Sequence, residues 1–380
     1  MGGHEVPITW RGRRTTAWVP DPLDADALSL TERTVRLTEQ AASAARRGSD
    51  ALPVRWEALA RLLLRAEGVA SSFLEGLTSP LADVVAAELD PTVGETARWV
   101  ADNLAAVSSA IDEAHDRPLT VEALHRWHRV LMGGARHLPG HLVGSWRDAQ
   151  GWIGGTSPLD AALVPSPPEH ISGLMADLVR FANREDVDPV TQAALAHAQF
   201  EVIHPYGDGN GRIGRILIAW LLTRRLNLVS PPPVSVRIAA DRGGYLAGLT
   251  MFRLGDVDPW VAWFATTVSD SGTATVNLVR TAAQLQSDWQ RRLSEVRMDA
   301  AAHRLLAVLP EHPVLSAGVV AAALGVSERT GREALTMLSG RGIVERFEAG
   351  NRGVGRPAQL WVARELIDLV TTWSRPAPSP

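Results

Sequence analysis

The sequence of 380 residues contains no cysteine and no lysine. The first absence removes disulfides, thiol nucleophiles and zinc–thiolate sites together. The second leaves all 38 basic side chains as arginine, which rules out a Walker A loop and a lysine Schiff base; a genome-level codon bias is the plain explanation. Long apolar runs are also missing. None approaches the roughly 18 residues of a membrane span, and the opening MGGHEVPITWRGRR has no signal-peptide core. A dominant charge is missing too: the net value is only -4, so the whole molecule is neither a polyanion mimic nor a general nucleic-acid binder. The expectation is a soluble cytoplasmic protein with no membrane contact. What is present is a hydrophobic share of 46% and a charged share of 21%, ordinary for a globular protein with a real core. The length suggests two or three domains.

Along the chain, Met1 to Leu23 reads as an extended lead-in without a period, and Asp24 to Asp112 as helical. Ala58-Leu59, Leu62-Leu63, Ala66 and Val69-Ala70 recur at helix spacing. That segment runs into Ser71-Ser72-Phe73-Leu74-Glu75-Gly76, with Gly76 as a C-terminal stop. Further helices are predicted over 121–131 and 171–182. Between them, Gly144 to Gly155 sets β-prone residues among glycines, which suggests a short hairpin. Helices over 190–203 and 213–226 flank a Gly-rich loop, and helical segments continue over 245–267. A polar-faced connecting helix is predicted over 273–298. The last part reads helix, helix, turn at Gly325, helix, then strands over 343–347 and 359–362, which is a winged-helix order. The fold class expected is mainly α.

The Gly-rich loop is His204-Pro205-Tyr206-Gly207-Asp208-Gly209-Asn210-Gly211-Arg212-Ile213-Gly214-Arg215. Its glycines let the backbone turn its amides inward at the start of a helix, a ready anion site. Arg212 and Arg215 are three apart and project to one side. Asp208 is a hard oxygen donor suited to Mg²⁺ shared with phosphates. His204 can accept a proton near neutral pH. Base, metal ligand, oxyanion nest and two cations are the set that phosphoryl or nucleotidyl transfer needs, because positioning and charge neutralisation lower its barrier. Gly209 to Gly214 also satisfies G-x-G-x-x-G, yet helical residues precede it instead of a strand. A purely structural corner would not need His, Asp and two Arg.

Residues 204–215 resemble the signature loop of the Fic family, H-x-F-x-(D/E)-G-N-G-R-x-x-R, with Tyr206 in place of Phe. Ala196-His197-Ala198-Gln199-Phe200-Glu201 is similar to the lead-in helix, and the resemblance covers about Ala58 to Phe264. It implies ATP as substrate with Mg²⁺, and transfer of AMP to a hydroxyl of a target protein or of the protein itself. His204 would be the general base and Asp208 the metal ligand. Gly209, Asn210 and Gly211 would line the anion hole, Arg212 and Arg215 would grip the outer phosphates, and Tyr245 would lie near the adenine. Trp152, Ile153 and Gly154 resemble the flap that docks the target as an added strand. Ser71 to Gly76 resembles the inhibitory motif (S/T)-x-x-x-E-(G/N), in which Glu75, with Ser71, would occupy Arg215 and block the γ-phosphate.

The resulting division is 1–112, helical with the inhibitory motif; 113–272, the catalytic core; 273–298, a linker helix; 299–370, a winged helix; and 371–380, a disordered tail. Arg329, Arg332, Arg341, Arg346, Arg352 and Arg356 make a modest basic stripe on the winged helix. DNA binding is therefore the alternative, with the catalytic domain acting as a nucleotide sensor or an AMP remover. Glu328, Glu333, Glu345 and Glu348 interleave and weaken that field. A silent scaffold has no reason to keep His204, Asp208, Asn210, Arg212 and Arg215 together.

Overall fold

The computed structural model describes residues 2–52, 57–297, 300–348 and 359–374. The chain opens on a hairpin, β1 (Gly3–Trp10) and β2 (Arg13–Pro20), antiparallel from Gly3↔Pro20 to Trp10↔Arg13. An extended lead-in was expected here. Arg11 (φ 48) and Gly12 (φ 78) close the hairpin as a two-residue turn with both φ positive, the twist-matched kind. Arg-Gly is not the usual sequence for such a turn, which is why the pattern shows no hairpin.

Helices follow: α1 (Glu32–Asp50), α2 (Glu57–Leu74), α3 (Leu81–Leu89), α4 (Glu95–Ala114), α5 (Val121–Met132), α6 (Pro168–Ala182), α7 (Pro189–Ile203), α8 (Asn210–Leu226), α9 (Val234–Ala240), α10 (Arg242–Arg253) and α11 (Val257–Arg292). Helix α1 starts at Thr31, α5 at Thr120 and α7 at Asp188, whose side chains accept from free first-turn amides. Helices α7 and α8 are buried on nearly every face. That fits their apolar residues all round, the mark of central helices. The other helices wrap them, with Trp127, Phe200, Trp220, Trp260 and Phe264 filling the core.

The connecting helix expected from residue 273 begins at Val257 and runs unbroken to Arg292. The Ser-Gly-Thr stretch near 271–273 is a contact rather than a break: a Cβ on Gly272 would overlap the Ala44 carbonyl of α1. Small residues there let the two helices lie close.

The C-terminal unit comprises α12 (Ala301–Leu306), β3 (Val314–Ser316), α13 (Ala317–Leu324), α14 (Glu328–Gly340), β4 (Glu345–Phe347), β5 (Leu360–Val362) and α15 (Arg364–Ser374). The strands form an antiparallel sheet in the order β3-β5-β4. Ser316 and Ser327 cap α13 and α14, and Gly325 (φ 65) turns between them. Its core is continuous with that of α2 and α3: Leu59, Leu62, Leu63 and Leu81 share one cluster with Leu309, Val314, Trp361 and Ile367. Arg352, Arg356 and the tail from 375 lie outside the described residues. Among those described, no helix is long and apolar enough to cross a membrane.

Candidate functional site

Helix α7 ends because His204 adopts the left-handed conformation (φ 51, ψ 61), with its amide returning to Phe200 O. The chain then turns through Gly209 (φ 80) into α8 at Asn210, leaving first-turn amides without helical partners. Asn210 closes this turn. Its Oδ1 accepts from Tyr206 N (2.8 Å) and its Nδ2 donates to Tyr206 O (2.8 Å), so only its backbone is available to a ligand. Tyr206 is buried beneath the loop, stacked on His128 at 3.9 Å and 6°, with its hydroxyl 3.2 Å from His125 Nδ1. The hydroxyl that Tyr adds over Phe therefore has its partner.

Two residues fixing this loop carried no signal in the sequence. His128 Nδ1 accepts from Gly144 N (2.8 Å), so its Nε2–H donates to Asp208 O (3.1 Å); burial pushes this imidazole down to about 4. Arg147, only 5% exposed, donates from Nε to His204 O (2.8 Å) and also to Ser166 O. Burial lowers its pKa to about 10, which still leaves it charged.

His204 is half-buried on the wall of a cavity of about 460 Å³. Its Nδ1 lies 3.3 Å from Glu201 O, which places the proton on Nδ1 and leaves Nε2 without a hydrogen-bond partner among the described residues. Burial first, then the Arg147 charge, lower its pKa to about 4, so it is neutral at physiological pH. Asp208 accepts from Gly209 N (2.6 Å) and pairs with His137 Nε2 (2.7 Å). Burial pushes its carboxyl up, but His137, the Gly209 amide and Arg212 together hold it below the ordinary range.

Arg212 and Arg215 are 5% and 3% exposed. Arg212 reaches only Met132 Sδ (3.4 Å) and Asp208 at 3.8 Å, and its buried Nε has no hydrogen-bond partner among the described residues. Arg215 is held along one edge: Nε donates to Ser71 Oγ (2.9 Å), and Nη2 to Ser71 O (2.8 Å) and Glu75 Oε1 (2.7 Å). Burial would raise the Glu75 carboxyl, yet Arg215 and then Arg212 hold it lowered and ionised. Glu75 lies directly over Gly211, where any Cβ would overlap its Oε1. A residue carrying a side chain cannot sit at 211 beneath that carboxylate.

The cavity brings together Glu75, Ile153, His204, Gly211, Arg215 and Tyr245. It does not bring Ser71, Trp152, Gly154, Asp208, Gly209, Asn210 or Arg212 to its wall. Tyr245 is buried, its hydroxyl 2.9 Å from His197 Nε2. Arg242, Leu246, Leu249, Thr250 and Arg253 line the far end, unmarked in sequence because they are only one face of an ordinary amphipathic helix. The segment expected as a hairpin is reduced to one antiparallel bridge, Ile153↔Leu163. Gly154 (φ 69) and Gly155 (φ 72) bend it away at once.

Residues 118–222 match the family model described as Fic/DOC family. "Protein adenylyltransferase fic-1" of Caenorhabditis elegans is 29% identical over 160 residues, 41% of this chain and 28% of that protein. "Protein adenylyltransferase Fic" of Drosophila erecta is 33% identical over 150 residues, 39% and 27% of the two chains. The chain thus spans little more than a quarter of the length of these curated relatives. In fold it is similar to a Fic family protein from Desulfovibrio desulfuricans G20, with TM-score 0.55, 23% identity, and 88% and 97% of the two chains covered. It is also similar to Fic-1 (aa134 - 508) from C. elegans, with TM-score 0.52, 21% identity, and 66% and 73% covered.

Proposed function

We propose that this chain, whose residues 118–222 carry a Fic/DOC domain, is a protein adenylyltransferase that moves AMP from ATP to a hydroxyl of a target protein. The observation that carries this reading is the neutral His204 beside two buried guanidinia at the open N-terminus of α8, one with an unpartnered Nε. A buried N–H without a hydrogen-bond partner is costly, and a phosphate chain would satisfy it. The amides of Gly209, Asn210 and Gly211 would receive the phosphate oxygens. His204 Nε2 would take the proton of the attacking hydroxyl as its oxygen bonds to the α-phosphorus. The bond from that phosphorus to the β-bridging oxygen breaks, and pyrophosphate leaves with its charge met by Arg212 and Arg215. Tyr245, tied to His197, would give the adenine a rigid aromatic wall, and the strand at Trp152, Ile153 and Gly154 would receive the target.

A single carboxylate with ATP phosphates suits Mg²⁺, which keeps several waters and takes few protein ligands. Asp208 is that carboxylate, and the ion would neutralise phosphate charge. Helix α2 would act as a restraint, since Glu75 and Ser71 occupy Nε and Nη2 of Arg215, the edge that would otherwise be offered to a γ-phosphate. The C-terminal unit reads as a winged helix. Its surface favours protein docking over duplex DNA, because Arg329 pairs with Glu333, Arg341 with Glu295 and Arg364 with Glu345. Cytoplasmic residence completes the proposal.

The test is incubation of purified Glu75→Gly protein with α-labelled ATP and host lysate. Label should appear on protein, far more than with the parent, and His204→Ala should abolish it while ATP still binds. Equal labelling by parent and Glu75→Gly would remove the restraint; full activity of His204→Ala would remove the base.

A further inference from the structure

We propose that the N-terminal hairpin extends the target-docking edge, and that its tip selects acceptor segments with acidic residues on the Trp152 side of the docked strand. The inference rests on the reading of Ile153 and its neighbours as that docking edge. The hairpin is fastened to the return arm of the same segment: Trp18 N donates to Val164 O (2.8 Å), Ser166 Oγ to Trp18 O (3.0 Å) and Thr15 Oγ1 to Pro158 O (3.4 Å). At the tip, Trp10 meets Trp152 edge to face at 5.3 Å. Trp152 still keeps 37% of its surface exposed. The two indoles therefore form an apolar shelf at the entry to the docking strand.

Beside that shelf stand Arg11 and Arg13, the cross-strand partner of Trp10, while Arg14 projects to the opposite face; all three are exposed. Arg11 lies over the Trp10 ring at 5.5 Å, and among the described residues none of the three has a carboxylate within ion-pair distance. Asp160 of the docking segment is already used: it accepts from the amides and hydroxyls of Thr156 and Ser157. Arg11 also holds φ 48 at the first turn position, where Asn, Asp or Gly is the comfortable choice. A guanidinium is thus kept at the tip despite an unfavourable backbone. Two guanidinia, Arg11 and Arg13, beside an aromatic shelf match carboxylates on an incoming segment, with which arginine forms bidentate hydrogen bonds.

The experiment uses the full chain and short fluorescent peptides with a central threonine, flanked by acidic, neutral or basic residues. Binding is read by anisotropy on the Glu75→Gly protein, and labelling by α-labelled ATP in parallel. The acidic peptide should bind best, and weaken as salt rises from about 0.05 to about 0.5 M. Arg11→Ala and Arg13→Ala combined should lower its affinity about fivefold, as two exposed ion pairs of ordinary strength would, and Arg14→Ala alone should leave it unchanged. Arg11→Glu with Arg13→Glu should shift the preference to the basic peptide, with the melting midpoint kept. Equal binding of acidic and basic peptides by the parent, or an unchanged ratio in the charge-reversed protein, overturns the proposal. Charge-selective binding without any labelling leaves the docking tip standing and sinks the transfer reaction instead.

Discussion

At the scale of single residues, the site is a set of groups held away from their solution protonation. His128, His197 and His204 are lowered by burial to about 4, 3 and 4, so the fold keeps them neutral. As pH falls below about 6.5 the unfolded chain takes up their protons first, and stability is lost down to about pH 4. Glu67 and Glu201 go the other way, raised by burial to about 7 and about 8. Their unfolded forms ionise from about 4.5, so they withdraw stability as pH rises towards 8. Three histidines outweigh two glutamates below about 6.5, and only the glutamates act above it, so stability should peak between about pH 6 and 7. Urea unfolding across the range from acid to mild alkali checks this; stability still climbing at alkaline pH contradicts it. Glu201→Gln should flatten the alkaline limb. A second residue-scale expectation concerns Gly214, whose added Cβ would overlap Glu201 Oε1 and come within 3.1 Å of His197 Nδ1. Gly214→Ala should cost about 1–3 kcal/mol in the same assay, as overpacking does; an unchanged midpoint would mean the buried pair can move aside.

Among elements, the decisive one is α2, which carries Ser71 and places Glu75 just beyond its end. It is held against α4 by Asn103, fully buried, whose Nδ2 donates to Gly68 O (3.0 Å) and Ser72 Oγ (3.2 Å). Asn103→Ala should lower stability by about 1–2 kcal/mol and raise self-labelling with α-labelled ATP, though less than Glu75→Gly does. Lower stability with unchanged labelling would show that Glu75 is held without Asn103. Most helices were legible because their apolar period is strong; residues 121–131, 171–182 and 190–203 lie within two or three residues of α5, α6 and α7. The loop was legible because His204, Asp208, Arg212 and Arg215 sit within one short run. Less legible were contacts made between distant segments. Arg147 reaches His204 from 57 positions away, and nothing in its neighbours announces that. The hairpin escaped because its turn is Arg-Gly and one strand holds Pro7, and α11 hid behind small residues that pattern reads as a break.

For the whole molecule, the question is what the C-terminal unit does to the site. It packs on α2 and α3 through a shared core, and the polar part of that seam is Arg65. This guanidinium, 8% exposed, binds Glu88 of α3 through Nε (3.0 Å) and Nη2 (2.7 Å), and donates from Nη1 to Glu311 O (2.6 Å). Arg61, a turn earlier, pairs with the Glu311 carboxylate at 2.8 Å. Arg65 and Ser71 belong to one unbroken helix, so force on the first is carried to the second. Arg65→Met should strip Glu88 of its buried partner and cost about 1–3 kcal/mol, below the value for a fully buried pair because Glu88 keeps 31% of its side chain in solvent. It should also loosen α2 and raise self-labelling. The informative comparison is the double variant with Glu75→Gly. If the C-terminal unit acts through α2, Arg65→Met adds nothing once Glu75 is gone, because both changes free the same Arg215. Additive gains in the double variant would place its effect elsewhere, on the cavity or the docking edge, and would separate the C-terminal unit from the restraint on the site.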